Sequence, residues 1–278
     1  MLAFSSRLRT RLPQHHQQFM DMIEGSLDSW EQRHARFMER AERAAAATAA
    51  AERQTARALI TVQATNIAAR MVGLADGFIT LANADNTYAA PAVVRALHEQ
   101  ACVPCYMARE VIPRLRKQRV NDVQRLLFRL GLGTGPAAGF GNIRPIAVPA
   151  LNSAAEKWID DYLARAGSGA QSAKDITQMI YGPLSDQTHP NFGATGRAGG
   201  SPVVATLRPA FDEETIDNLL SATFFMLAVG GEAIDEVVAA AEGAPMEFGN
   251  SRPQWKDGDL YKPGEPDGAI GSGPLAET

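Results

Sequence analysis

The chain has 278 residues, enough for one large domain or two smaller ones, and an alanine-rich composition with 7% aromatic residues favours helices over a strand-rich sandwich. Its formal net charge of −4 provides no overall basic field that would attract nucleic acid, so contact with RNA or DNA would need a local basic patch. Two cysteines exclude a secreted disulfide framework, and no secretory signal, transmembrane helix or membrane contact is expected, which predicts a cytoplasmic protein.

The first predicted element is one very long helix, or two helices with a short break, over residues 27–82. Its early part, residues 29–57, has high helix propensity but only three large apolar anchors, which are Trp30, Phe37 and Met38. Residues 1–57 are therefore predicted to form a helical arm that is either exposed or bound to a partner, which would be another protein or a second copy of this chain.

The second half of this segment carries an apolar seam with alternating steps of four and three residues. The seam consists of Ile60, Ala64, Ile67, Met71, Leu74, Phe78 and Leu81. This spacing predicts a helix that is packed along its length inside a bundle, with a dimeric coiled coil as the alternative.

The next helix, predicted over residues 93–115, holds both cysteines and an unusual polar face. At about 100° per residue, one arc of the helix contains Arg95, His98, Glu99, Cys102 and Tyr106, and we call it the polar arc. Pro104 is expected to remove one backbone hydrogen bond and to bend the helix beside this arc. Two hypotheses stay open: a solvated face with an Arg95–Glu99 ion pair, or a pocket lined by titratable groups.

A basic run follows, which consists of Arg114, Arg116, Lys117 and Arg119. It could bind phosphate, but the lack of interleaved aromatic residues favours a solvated face. A helix is predicted over residues 120–130, then a glycine-rich connection over residues 131–145 that lacks the pattern of a phosphate-binding loop, and then a helix over residues 151–166.

The segment 175–192 begins with a helical stripe that Gly182 and Pro183 interrupt. The polar turn that follows contains Ser185, Asp186, Thr188 and His189. Pro190 holds the backbone of His189 toward an extended conformation. The turn is predicted to be either a catalytic or binding element, or a capped helix end with a hydrogen-bonded histidine.

The last elements are a short β-hairpin that residues 202–207 would allow, and a long helix with acidic residues in its first turn. Residues 243–278 are too poor in apolar side chains to fold alone, so they are predicted to be an extended or disordered tail anchored by Trp255 and Tyr261. The predicted fold is all-α, with a helical-bundle core over residues 58–242 between the arm and the tail.

Two short motifs combine the polar helix with the polar turn. The first is Arg95-Ala-Leu-His98-Glu99, and the second is Tyr181-Gly-Pro-Leu184-Ser185 followed by His189-Pro190. Over residues 58–240 the chain resembles an uncharacterised bacterial family of helical proteins of unknown function. The resemblance implies an all-helical fold with a shared polar centre and no established reaction. It also implies that six candidate catalytic residues converge, namely Arg95, His98, Glu99, Tyr181, Ser185 and His189.

Such a centre would suit the chemistry of helical bacterial defence nucleases, which hold an arginine and a histidine about four to six residues apart on one helix. Two pairs with that spacing are Arg9 with His15 and Arg11 with His16. Pro13 interrupts both pairs, and Arg95 and His98 are only three residues apart. The sequence therefore departs from the nuclease pattern.

The two cysteines suggest zinc or redox chemistry. The ligand types for zinc are His98, Glu99, Cys102, Cys105 and His189, with a single C-x-x-C and no paired motif. If the helix restarted beside Cys102, that thiol would have a lowered pKa as in dithiol enzymes. The segment is similar to the C-x-x-C-x-x-x-H helix of the AhpD-like peroxidase family, but Arg109 replaces the histidine.

Taken together, the sequence predicts a binding or scaffolding role, with no cofactor and no metal ion. The first alternative is an enzyme that acts on a phosphate-bearing substrate such as RNA. The second is a dithiol oxidoreductase that uses Cys102 and Cys105.

Overall fold

The fold is an all-α helical bundle, as the sequence predicts. The computed structural model describes residues 2–51, 54–132, 143–165, 167, 172–175, 184, 213–243, 247–249, 255–256 and 259–260. The helices that lie wholly within these residues are α1 (Ser6–Arg11), α2 (Gln14–Ala51), α3 (Ala56–Asn83), α4 (Ala90–Tyr106), α5 (Ile112–Arg116), α6 (Val120–Leu132), α7 (Val148–Arg165) and α8 (Glu213–Glu242). A π-helical turn over Met107–Val111, called the π turn below, joins α4 to α5.

The segment predicted as one helix or two forms two helices, α2 with 38 residues and α3 with 28. Thr55 ends the break between them, because its Oγ1 accepts a hydrogen bond from the backbone N–H of Ala58 at 3.1 Å. This contact satisfies one of the amide groups that the first turn of a helix leaves without a partner.

The amino-terminal residues share the apolar cluster of the bundle. The buried apolar side chains of α2 repeat at helical spacing and are Met20, Ile23, Leu27, Trp30 and Phe37. The prediction of an exposed arm is therefore wrong up to Phe37, because three residues of this stripe lie before residue 29, where the apolar-poor part of the helix begins. Met38, predicted as an anchor, is 42% exposed. The division of the chain into three domains stays a prediction.

Helix α3 lies at the centre of the bundle, against α2, α4 and α8. Five of the seven predicted seam positions are fully or almost fully buried, and Leu74 and Leu81 are partly buried against the same cluster. Among the described residues, α3 alone has the length and apolar composition that could cross a membrane. The apolar core helix of a bundle has the same properties, and α3 packs as one.

Four helices meet at Gly230 of α8. A β-carbon at this position would lie 3.3 Å from Cε of Met71, 3.4 Å from Cζ2 of Trp30 and 3.6 Å from Cβ of Ala101. The absence of that atom lets α2, α3 and α4 approach α8 closely. The indole N–H of Trp30 also donates a hydrogen bond to the carbonyl oxygen of Leu227 at 2.9 Å, which joins α2 to α8.

The described parts of the predicted tail pack on α6. Trp255 contacts Phe128 edge to face, with ring centroids 6.4 Å apart, so it is an anchor as predicted. Asp259 is 3% exposed and accepts hydrogen bonds from Arg125 at 2.9 Å and Arg129 at 2.8 Å. These residues are therefore not disordered, because a buried carboxylate between two guanidinium groups fixes the chain, whereas the predicted extended conformation is compatible with strand Glu247–Gly249.

One two-stranded pairing connects the break after α2 to the residues after α8. Strand β1 (Gln54–Thr55) pairs antiparallel with β2 (Glu247–Gly249). The predicted hairpin over residues 202–207 and the predicted anchor Tyr261 lie outside the described residues.

Candidate functional site

Three of the six candidate catalytic residues lie on α4, and these are Arg95, His98 and Glu99. The other three, Tyr181, Ser185 and His189, lie outside the described residues. The convergence of the two motifs therefore stays a prediction.

The polar arc of α4 is largely buried. His98 is 1% exposed, Cys102 3% and Tyr106 9%, because α3, α7 and α8 surround this helix. Only Arg95 and Glu99 reach the surface, where Nε of Arg95 lies 3.2 Å from Oε1 of Glu99. The hypothesis of a solvated face is wrong for the three buried side chains and holds only for the ion pair.

His98 is held in its neutral form. Burial, assisted by the positive charge of Arg95, lowers the pKa of His98 from its usual 6.5 to about 4. Its Nε2 lies 3.8 Å from Sγ of Cys102, one helical turn away. A buried imidazole with such a low pKa is poorly suited to general acid–base work on a substrate in solution near neutral pH.

The low pKa of His98 predicts a loss of stability in acid. In the unfolded chain His98 binds a proton below about pH 6.5, whereas in the folded chain it does so only below about pH 4. The contribution of neutral His98 to the free energy of unfolding is therefore complete above about pH 6.5 and is lost as the pH falls toward 4. The loss amounts to about 3 kcal/mol at most. Denaturant unfolding of the wild type should show that the free energy of unfolding falls between pH 7 and pH 4. This fall should be smaller in His98→Gln and as large as in the wild type in the control His34→Gln. Equal pH dependence in all three proteins would contradict the buried neutral histidine.

Both cysteines are free, buried thiols inside the bundle. Burial, with the nearby carboxylates of Glu99 and Glu156, raises the pKa of Cys102 to about 12, and burial raises the pKa of Cys105 well above its usual value. Helix α4 runs through Cys102, so the condition for a lowered pKa, a helix that restarts beside this residue, is not met. These thiols are protonated at neutral pH and lack the reactivity that dithiol exchange requires.

The arginines with nuclease-like spacing are bound to carboxylates. The guanidinium of Arg9 lies 2.7 Å from both Asp21 and Glu24. Arg11 donates two hydrogen bonds to Asp85, at 2.5 and 2.8 Å. Both side chains therefore stabilise the docking of α1, and neither is poised to hold a phosphate.

The irregular turn of the polar helix comes later than the sequence predicts. Helix α4 continues through Pro104 to Tyr106, and the departure from α-helical geometry is the π turn, where the N–H of Ile112 bonds to the carbonyl of Met107. Pro113 explains the position of the π turn. In a regular α-helix the ring of Pro113 would clash with the carbonyl of Arg109, and proline has no N–H that could bond to this carbonyl. π-Helical turns are frequent at functional sites.

A cleft of about 550 Å³ opens beside the π turn, and we call it the π-turn cleft. Its lining residues come from the π turn, α5, α7 and α8: Ala108, Arg109, Glu110, Ile112, Pro113, Arg116, Trp158, Asp161, Arg165 and Glu236. Trp158 is fixed in the wall by a stacked contact with Tyr162 and by a 3.0 Å hydrogen bond from its indole to Glu236. The volume lies within the range of small-molecule sites.

The charges in the cleft are mostly paired. Arg109 lies 2.5 Å from Asp161, and Arg165 lies 3.6 Å from Glu236. Arg116 differs, because it is exposed and has no ion-pair partner among the residues that the structure describes. One guanidinium at the edge of the cleft is therefore available to an anion.

No protein-family model, curated protein or solved structure significantly matches the chain. The resemblance to an uncharacterised helical family stays a prediction, and any function has to be argued from the geometry.

Proposed function

We propose that this protein binds a small phosphate-bearing ligand in the π-turn cleft. The observation that carries the proposal is the exposed guanidinium of Arg116 at a cleft whose other arginines and carboxylates already have ion-pair partners. A guanidinium offers parallel N–H donors that match the oxygens of a phosphate, and such charge-assisted hydrogen bonds are the strong ones.

The surroundings of Arg116 support an anionic ligand. Lys117 and Arg119 follow it in the turn after α5, and both are exposed without an ion-pair partner among the described residues. Three cations in four residues create a local positive field on a chain of negative net charge. These residues belong to the basic run for which the sequence favours a solvated face over phosphate binding.

The same cleft favours binding over catalysis. Its described lining residues include no histidine and no cysteine, and each of its three carboxylates is in contact with an arginine. A group that moves a proton must be able to reach the substrate and to change its protonation state. An enzyme acting on a phosphate-bearing substrate therefore has less support, and the volume suits a small molecule better than an RNA chain.

The first test removes the available cation. Calorimetric titration of the protein with inorganic pyrophosphate, a mononucleotide and a short RNA should show saturable binding of one small ligand per chain. Arg116→Ala should weaken that binding about tenfold or more, since a hydrogen bond to a charged group contributes about 1.5–3 kcal/mol. Arg70→Ala removes an exposed arginine from α3, away from the cleft, and should change nothing.

A second variant works in the opposite direction. Asp161→Asn removes the carboxylate that occupies Arg109, so a second guanidinium becomes available and pyrophosphate should bind more tightly. Asp161 is exposed, and the substitution should leave the fold intact. No saturable binding, RNA binding tighter than small-ligand binding, or equal affinity in all variants would each overturn the proposal.

A further inference from the structure

Two adjacent histidines at the start of α2 lie against the first turns of α8. One ligand atom from each of His15, His16 and Glu213 lies within 4.8 Å of the other two. Oδ1 of Asp217, one turn further along α8, lies 3.1 Å from Nε2 of His16 and 3.9 Å from Nε2 of His15. Two imidazoles and two carboxylates thus lie close together, and the helices that contribute them are far apart in the sequence.

The buried histidine of this cluster has polar atoms that need a partner. His16 is 0% exposed, and within the described part of the chain neither of its ring nitrogens makes a hydrogen bond. The 3.1 Å contact between Nε2 and Asp217 is short enough, but it does not have the direction of a hydrogen bond. Buried polar groups are rarely left in this state, so His16 points to a ligand between it and the carboxylates.

The charges around the cluster favour a cation. The amino-terminal ends of two helices carry partial positive charge, which would repel a metal ion if nothing compensated it. Glu213 and Asp217 supply two negative charges beside the histidines, and Glu214 in the same first turn of α8 adds a third. Neutral imidazole nitrogen together with carboxylate oxygen is a donor set that suits zinc and similar divalent ions.

The geometry is close to that of a formed site. Ligand atoms about 2.0–2.2 Å from a tetrahedral zinc ion lie roughly 3.5 Å from each other, somewhat closer than the 4.8 Å limit found here. The side chain of His15 is 56% exposed and Glu213 is also exposed, so both can rotate inward around the fixed ring of His16. The rings of His15 and His16 already lie 4.0 Å apart.

We infer that His15, His16, Glu213 and Asp217 form a binding site for a divalent cation of the zinc type. The ion joins the first turn of α2 to the beginning of α8, and so it ties the amino-terminal helices to the last helix of the bundle. The site is separate from the π-turn cleft, since none of its four residues lines that cleft.

Metal titration tests the site directly. The full-length protein, stripped with a chelator and dialysed, is titrated with Zn²⁺ by calorimetry and with Co²⁺ by visible absorption, which reports coordination by nitrogen and oxygen. We expect one equivalent of each ion to bind, and Zn²⁺ to raise Tm by at least a few degrees. His15→Ala and Glu213→Gln should each weaken binding by about tenfold or more and reduce the Tm shift.

The controls separate loss of a ligand from loss of the fold. His15 and Glu213 are exposed, so their variants should keep the wild-type Tm in the presence of chelator, whereas the fully buried His16 would not allow this comparison. His34→Ala removes a histidine elsewhere on α2 and should bind Zn²⁺ like the wild type. Absence of stoichiometric binding, or binding that is unchanged in both ligand variants, would overturn the inference.

Discussion

Replacing Trp30 with alanine is expected to lower the free energy of unfolding by about 3–5 kcal/mol. Trp30 is completely buried at the point where α2 meets α8, and its indole donates the hydrogen bond to the carbonyl oxygen of Leu227. The substitution leaves a large cavity beside Gly230 and leaves one hydrogen-bond donor fewer in the core. Equilibrium unfolding in urea, with a check that the slope is unchanged, measures the effect.

Two further variants make this prediction specific. Trp30→Phe keeps most of the ring and loses the hydrogen bond, so it should be less destabilising than Trp30→Ala. Met38→Ala, on the exposed side of the same helix, should change stability by no more than about 0.5 kcal/mol. If Trp30→Ala had an effect as small as Met38→Ala, α2 would be the exposed arm that the sequence predicted.

Replacing Asp259 with alanine is expected to cost about 2–4 kcal/mol. Removal of one partner from a buried ion pair typically costs about 3–5 kcal/mol, and the side chains of Arg125 and Arg129, at 11% and 19% exposure, are buried enough to keep most of that penalty. Asp259 also accepts a hydrogen bond from the backbone N–H of Lys256 at 2.8 Å. The same unfolding experiment measures the loss.

The neighbouring exposed ion pair provides the matched control. Nζ of Lys256 lies 3.0 Å from Asp122, but the lysine side chain is 61% exposed, so Lys256→Ala should change stability by less than about 1 kcal/mol. Asp259→Ala should also make the chain around Lys256 and Asp259 more susceptible to limited proteolysis, because the carboxylate holds these residues on α6. An effect of Asp259→Ala no larger than that of Lys256→Ala would show that this part of the chain is not anchored as described.

The fold class could be predicted because it depends on local patterns. The a/d spacing from Ile60 to Leu81 places α3 in the core whichever helices pack on it, and α3 is buried as that spacing requires. The apolar content of residues 29–57 does not indicate the burial of α2, because the buried stripe begins earlier, at Met20. The anchoring of the tail could not be found from composition, since it depends on one aspartate, Asp259, that reaches two arginines about 130 residues away.

The candidate site was predicted only in part, for a physical reason. Helical periodicity correctly grouped His98, Cys102 and Tyr106 on one face, but it cannot tell which neighbouring helix covers that face. The basic run containing Arg116 was visible in the sequence, whereas the walls of its cleft come from α7 and α8, which only the tertiary structure brings together. The histidine pair at the start of α2 was considered only with nearby arginines, because its carboxylate partners are about 200 residues away.

The most direct test of the proposed ligand site is a titration of the ¹⁵N-labelled protein with pyrophosphate, followed through the indole N–H signals of its three tryptophans. Trp158 lies in the wall of the π-turn cleft with its indole on Glu236, whereas Trp30 is buried between α2 and α8. We predict that the signal of Trp158 shifts saturably while that of Trp30 stays in place, and that Arg116→Ala abolishes most of the shift. A titration that moves Trp30 or no indole signal at all would contradict binding in the π-turn cleft.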